Sequence, residues 1–221
     1  MVITIDGPAG TGKSSVALGV ADRLGFGLLD TGAMYRAVAL EALRRKAPLS
    51  DARELAFIAR HARIEFDWSA HPPEVILNVE PVSHLLRSGE TSQAASHVAV
   101  VPAVRELLVA RQREFAIARG DIVTEGRDQG TVVFPDAEFK FYLDATPAER
   151  AKRRIAQLRQ RGEIHDFNEI LKEIIERDER DSSRAVGPLT IPAGARVINT
   201  TSLGQEQVIE QIVAAVRGSA A

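Results

Sequence analysis

The sequence predicts an α/β fold: a parallel sheet covered by helices on both faces and interrupted by a small antiparallel insertion. Three observations lead there. The β-branched run Val2 to Asp6 passes through the glycine-rich segment Gly7 to Gly12 into a helical pattern, the opening of a βα unit. The same alternation of short apolar runs and helical stretches continues along the chain. The stretch from Ile64 to Val79 departs from it.

Taken in order, Lys13 to Leu24 carries Val16, Leu18, Val20, Ala21 and Leu24 at helical spacing, and Gly25 ends it. Ala33 to Lys46 and Asp51 to Arg63 are the next helices, with Thr31 expected to cap the first and Asp51/Glu54 forming a capping pair for the second. Ile64 to Trp68 and Val75 to Val79 flank a His71-Pro72-Pro73 turn and form an antiparallel hairpin, with Phe66, Trp68 and Ile76 in its core. Pro102 suits the first position of a helix reaching Ala118. Asp121 to Thr124 and Phe139 to Leu143 read as strands, a helix starts near Pro147, and Arg196 to Asn199 is a last strand. Ser202 with Gln205 resembles a capping box for a closing helix that contains Val208, Ile209, Ile212 and Val216. The tail after Val216 is expected to fray.

Length and composition narrow the function. The 221 residues suffice for one domain with an insertion or for two small ones. Lys and Arg number 28 against 30 Asp and Glu, a net charge of -2, whereas a protein that grips duplex nucleic acid usually has a basic excess. Any basic site is therefore local and suited to a small anion. The absence of cysteine excludes disulfides and thiolate metal sites and fits a reducing compartment. The five histidines show no ligand spacing, so no zinc site is expected. The run Val2 to Ile5 is too short for a signal peptide, and no apolar stretch approaches the ~20 residues that span a bilayer. A cytoplasmic protein with neither membrane nor nucleic-acid partner is expected.

The segment Gly7-Pro8-Ala9-Gly10-Thr11-Gly12-Lys13-Ser14 matches G-x-x-x-x-G-K-[ST] between a strand and a helix. Glycines let successive backbone amides turn inward around a phosphate, and the helix N-terminus adds its dipole. Lys13 is placed to reach the β- and γ-phosphates of a bound nucleotide, and the Ser14 hydroxyl can ligate Mg²⁺. The loop identifies a nucleotide and not what becomes of it, because switches, motors and kinases share it.

Arginines bear on the acceptor. Phosphoryl transfer needs in-line placement and cations, and an acceptor phosphate brings its own ionised oxygen, so no general base is required. Four groups stand out: Asp30-Thr31-Gly32-Ala33-Met34-Tyr35-Arg36; Glu125-Gly126-Arg127-Asp128 at a strand end; Arg150, Arg153 and Arg154; and Arg177, Asp181 and Arg184, the last two groups at single-face helical spacings. Each alone also fits a turn, a solvated face or an ordinary i,i+4 pair. Their joint occurrence after a complete phosphate loop favours a second anionic substrate.

These stretches, with Val2 to Gly10, Leu28 to Arg36, Gly130 to Asp136, and Arg177 to Asp181 with Arg184-Ala185, resemble the bacterial cytidylate kinase family in order along nearly the whole chain. The resemblance implies a P-loop kinase fold with a five-stranded parallel sheet, a small antiparallel insert and a helical lid. It implies a core of 1–30 and 101–221 with the lid at about 148–165, and a monophosphate-binding domain at 31–100. ATP would lie on Gly7, Pro8, Ala9, Gly10, Thr11, Gly12, Lys13, Ser14 and Ser15, with Arg150, Arg153 and Arg154 closing from the lid. CMP or dCMP would meet Thr31, Arg36, Ser96, Arg105, Arg127, Asp128, Arg177, Asp181 and Arg184. Of these, Arg36 and Arg127 would hold the phosphate, while Ser96, Arg105 and Asp128 would read cytosine. Lys13, Arg127, Arg153 and Arg154 would be catalytic. Glu125, where aspartate is usual, is inferred to help hold Mg²⁺ through water. Gln129 stands where an apolar residue is common, and Ser15 where threonine is. The implied protein is a monomer. Rival readings are a kinase for UMP or another small acceptor, and a non-enzymatic nucleotide switch.

Overall fold

The computed structural model describes residues 1–160 and 162–218. Position 161 of the expected lid and the last three residues of the expected frayed tail lie outside the described residues. In chain order the elements begin with β1 (Val2–Asp6), α1 (Lys13–Leu24), β2 (Gly27–Asp30), α2 (Thr31–Arg44) and α3 (Ala52–His61). Next come β3 (Ile64–Asp67), β4 (Glu74–Leu77), β5 (Glu80–Pro81), α4 (Gly89–Val98) and α5 (Pro102–Arg119). The remainder is β6 (Ile122–Gly126), a π-helical turn at Gln129–Val133, β7 (Phe139–Asp144), α6 (Pro147–Arg159), α7 (Phe167–Ser183), β8 (Arg196–Asn199) and α8 (Gln205–Gly218). The expected five-stranded parallel sheet is present among the described residues, in the order β2-β6-β1-β7-β8. A separate antiparallel sheet is ordered β3-β4-β5.

The chain divides into two compact units, Met1–Phe26 with Ile122–Ala221, and Gly27–Asp121. In the first, β1 pairs with both β6 and β7, so Ile3, Thr4, Ile5 and Asp6 are all buried. A strand covered on both faces reads as a continuous β-branched run, which is why this one was legible. α1 packs on β1, β6 and α8. α6 and α7 pack on each other around Ala151, Ile155, Leu158, Ile170 and Ile174, flanked by Phe167 and Leu171, and so have an apolar core of their own.

In the second unit α2 packs on α4 and α3 on α5. The insert differs from the hairpin expected. Asn78 and Val79 have positive φ, 50° and 73°, and turn the chain into a third short strand instead of extending the second. Phe66 is buried against Trp68 and, edge to face, Phe115, each at 5.3 Å between ring centroids. Ile76 alternates to the other face of β4, where Val75 and Leu77 are the buried residues.

Several helix ends follow the sequence. Gly25 closes α1 in the left-handed region, Asp51 accepts from Arg53 N and Glu54 N, and Pro102 and Pro147 open their helices. Two do not. Thr31 is the first residue of α2, and Asp30 is its cap, accepting from Ala33 N at 2.8 Å. At α8 the capping bond lies two residues later than Ser202/Gln205: Gln207 accepts from Gly204 N at 2.9 Å. In both places the competing side chains were one or two residues apart, a separation that pattern alone does not resolve.

Candidate active site

Gly12, at the start of α1, has no side chain to cap the helix, which leaves the first amides for an anion. Lys13 is buried, and its Nζ donates to Pro8 O at 2.7 Å and approaches Thr11 Oγ1 at 3.5 Å. Burial, then the positive charge of Arg127, push its pKa down to about 7. A phosphate bound beside Lys13 would favour its charged form.

Ser14 Oγ donates to Glu125 Oε1 at 2.7 Å. Glu125 is buried at the β6 position level with Ile5, just beneath the loop. A hydroxyl and a carboxylate oxygen side by side are hard donors of the kind Mg²⁺ takes when most of its shell is water and phosphate, so this pair fits the ion. Ser15 sits in the first turn of α1, where its carbonyl accepts from Gln205 Nε2 at 3.4 Å.

The strand end after Glu125 carries Arg127. Its Nε donates to Asp181 Oδ2 at 2.8 Å and its NH1 to Gly126 O at 3.2 Å. Burial opposes the charge of Arg127, but Asp181, Glu125 and Asp178 outweigh it and raise its pKa. Asp181 answers in kind: burial would raise its pKa, yet Arg127, Arg177 and Arg184 hold it below the ordinary value. Arg184 NH1 lies 3.6 Å from Asp181 Oδ1, and its Nε donates to Gly187 O at 2.6 Å. The α7 face expected to carry Arg177, Asp181 and Arg184 thus ends sooner, because Arg184 is extended at the helix C-cap. It still meets Asp181.

Asp128 is buried beside Arg127, and the chain then makes the π-helical turn. Asp6, at the end of β1, accepts from Gln129 N at 2.8 Å and Gly130 N at 2.7 Å, and so fixes this loop. Burial pushes its pKa up to about 6, against the pull of those two amides. Gln129, unusual in the family resemblance, is buried, and its Oε1 accepts from Thr124 Oγ1 at 2.9 Å. Its polarity is thereby matched inside the sheet.

The three arginines of α6 diverge. Arg150 is buried and donates to Ala9 O, Ala145 O and both oxygens of Asp178. Arg153 pairs with Glu149 at 3.2 Å and donates to Thr200 Oγ1 at 3.1 Å and Thr200 O at 2.5 Å. The Thr200 hydroxyl in turn donates to Thr11 O at 3.3 Å. Arg154 is half-buried on the same helix. Asp6, Asp178 and Thr200 thus support the loops, roles that the sequence motifs do not assign to them. The sequence signal for the first two was present, in the strand-end aspartate and the Arg177-Asp178 step.

In the second unit Arg36 NH2 donates to Asp30 at 3.0 and 3.2 Å. Thr31 is buried in the first turn of α2. Arg105 is buried on α5, with NH1 donating to Ala99 O at 3.2 Å and its guanidinium 5.5 Å from the Tyr35 ring centroid. Ser96, on α4, donates from Oγ to Ser92 O at 3.4 Å.

Residues 3–218 match the family model described as cytidylate kinase. A cytidylate kinase of Mannheimia succiniciproducens is 48% identical over 96% of this chain and 93% of its own length. One of Caldanaerobacter subterraneus subsp. tengcongensis is 46% identical over 97% and 94%. Among solved structures, a gluconokinase from Sinorhizobium meliloti 1021 superposes with a TM-score of 0.50 at 14% identity, covering 99% of this chain and 93% of that one. A shikimate kinase from Bacteroides thetaiotaomicron gives 0.50 at 15%, covering 100% and 98%. At such identities the structures speak to the fold alone. No helix among the described residues is long and apolar enough to cross a membrane.

Proposed function

The chain belongs to the cytidylate kinase family, and from that premise we propose that it moves the γ-phosphoryl group of ATP to CMP or dCMP, giving ADP and the nucleoside diphosphate, with the residue roles below. It is a nucleoside-monophosphate kinase, a phosphotransferase. The observation that best supports the roles is the Ser14 Oγ–Glu125 Oε1 contact of 2.7 Å, which ties the phosphate loop to the end of the strand that leads into Arg127.

In this reading the loop Gly7 to Ser15 binds the ATP phosphates, and Lys13 regains full charge once a phosphate faces it. Ser14, with Glu125 through water, would hold Mg²⁺, which would supply charge neutralisation. Arg127, held by Asp181, orients the acceptor phosphate. An oxygen of that phosphate attacks the γ-phosphorus as the bond to the β-phosphate oxygen breaks, and ADP departs. The acceptor oxygen is ionised near neutral pH, with a second pKa of about 6, so no base is assigned. Arg153 and Arg154 offset charge on the moving group. Asp128, Arg177, Asp181 and Arg184 are assigned to the nucleoside of CMP, as are Thr31, Ser96 and Arg105 of the second unit, and Arg36 to its phosphate. As a functional division, distinct from the two compact units, the core is taken as 1–30 and 101–221, with the lid near 148–165 and a monophosphate-binding domain at 31–100. The enzyme is taken to be a cytoplasmic monomer.

The test is ADP release, measured by a coupled assay with CMP, dCMP, UMP, AMP, GMP and shikimate in turn. CMP and dCMP are expected to give the largest kcat/KM. ADP release that CMP does not stimulate would end the reading.

A further inference from the structure

We propose that Asp178 is a positioning residue for the phosphate loop, acting through the Arg150 guanidinium; this rests on the kinase reading above. Arg150 reaches the loop with its whole side chain. Its NH1 donates to Ala9 O at 3.1 Å, and a Cβ placed on Gly10, whose φ is +82°, would lie 3.1 Å from Arg150 Cβ. The loop is laid against this arginine as against a wall.

The guanidinium has little left to give a nucleotide. Nε donates to Ala145 O at 3.0 Å, and NH1 and NH2 donate to the two Asp178 oxygens at 3.1 and 2.6 Å. Four of its five N–H groups thus have protein acceptors. The side chain is 3% exposed, which leaves almost no face for stacking. Arg150 therefore serves ATP through Ala9. A peptide unit is planar and trans, so pulling the Ala9 carbonyl toward Arg150 aims the Gly10 amide the opposite way. Asp178 makes this possible, because a buried guanidinium stripped of its carboxylate is strongly disfavoured.

Asp178 and Asp181 are three residues apart on α7 and share a face. One holds Arg150 against the donor loop, and the other holds Arg127 on the acceptor side. A purely structural role for α7 would move the kinetic constants of both substrates together. Positioning through Arg150 separates them.

The experiment compares Asp178→Asn, Arg150→Lys, their double variant and Asp181→Asn with the wild type, reading kcat and both KM values. Asp178→Asn is expected to raise KM for ATP about tenfold and leave KM for CMP within about twofold, as loss of one charge-assisted link implies. Arg150→Lys, unable to make the two-pronged contact, should match it, and Asp181→Asn should show the opposite selectivity. The double variant should be no worse than the worse single, since both cut one link. An unchanged KM for ATP, equal shifts in both KM values, or additive effects in the double variant overturn the proposal. If Asp178→Asn loses its cooperative thermal transition, Arg150→Lys carries the same test. A wild type that does not phosphorylate CMP overturns the kinase reading instead; an active wild type with an unaltered Asp178→Asn overturns this inference alone.

Discussion

Two arginine–carboxylate pairs, one in each unit, reach a similar end by different routes. Arg36 leans on Asp30, six residues earlier, whose carboxylate also caps α2 at Ala33. Arg127 leans on Asp181, 54 residues further along the chain. The arginines are shielded to a similar degree, 21% and 17% exposed, and their carboxylates equally, at 15%. The near pair needs less than two turns of helix. The distant one needs β6 and α7 placed by the fold of the whole first unit, and the entropy of closing that loop is part of its cost. The arginine proposed to hold the acceptor phosphate is thus local in its origin in one unit and tertiary in the other.

The largest expected effect falls on the tertiary pair. Arg127→Ala should weaken CMP binding roughly 100-fold, about 3 kcal/mol for a lost charge-assisted contact, while ATP affinity stays within about threefold. Calorimetric titration with each nucleotide alone measures both. Equal losses would break the assignment of Arg127 to the acceptor.

Asp181→Asn comes next, with KM for CMP rising about tenfold, since three arginines lose their shared counter-charge. It also carries a pH signature. The folded pKa of Asp181 lies below its ordinary value of 3.8, so its stabilisation is present above that value and is lost as pH falls through the folded pKa. The wild type's advantage over Asp181→Asn in urea midpoint should shrink in acid. An advantage that is constant from about pH 7 to about pH 3 would mean that the ion pair is not its source.

Asp30→Asn should do less, raising KM for CMP about threefold, because the amide oxygen still caps α2. A larger effect than that of Asp181→Asn would reverse the comparison. Smallest is Gly32→Ala. A Cβ there would lie 3.0 Å from Arg36 NH1 and 3.2 Å from Asp30 Oδ1, both movable side-chain ends. KM for CMP should rise only about twofold, with thermal stability changed by less than about 1 kcal/mol as alanine's helix propensity offsets the crowding. A tenfold rise would show that the near pair is as rigid as the distant one.

Much of this was readable beforehand, and unevenly so. β1, the phosphate loop and α1 form one continuous local signal, and so do Pro102 at the head of α5 and Gly25 at the end of α1. The insert was read less well, because the left-handed Asn78 and Val79 break a run that looks like one strand. The family resemblance predicts that the α6 arginines close on ATP from one face. At i, i+3 and i+4 they do share a helix, yet Arg150 turns to Ala9 and Asp178 while Arg153 turns to Thr200. Spacing gives the face from which a side chain departs; the neighbours on other elements decide where it ends.

The sequence by itself determined the strand–loop–helix that can hold phosphates, the supply of arginines for a second anion, and the family through motifs kept in order along the chain. Backbone conformation over a few residues follows from their own sterics and hydrogen-bonding groups, so such features are written locally. Only the tertiary structure decided that Asp6 ties the Gln129–Gly130 loop to the end of β1, and that Asp178 accepts from Arg150 while Asp181 accepts from Arg127. Those are contacts between residues far apart in the chain. Burial and Coulomb interaction act through space and leave no mark in the spacing of residues along the chain.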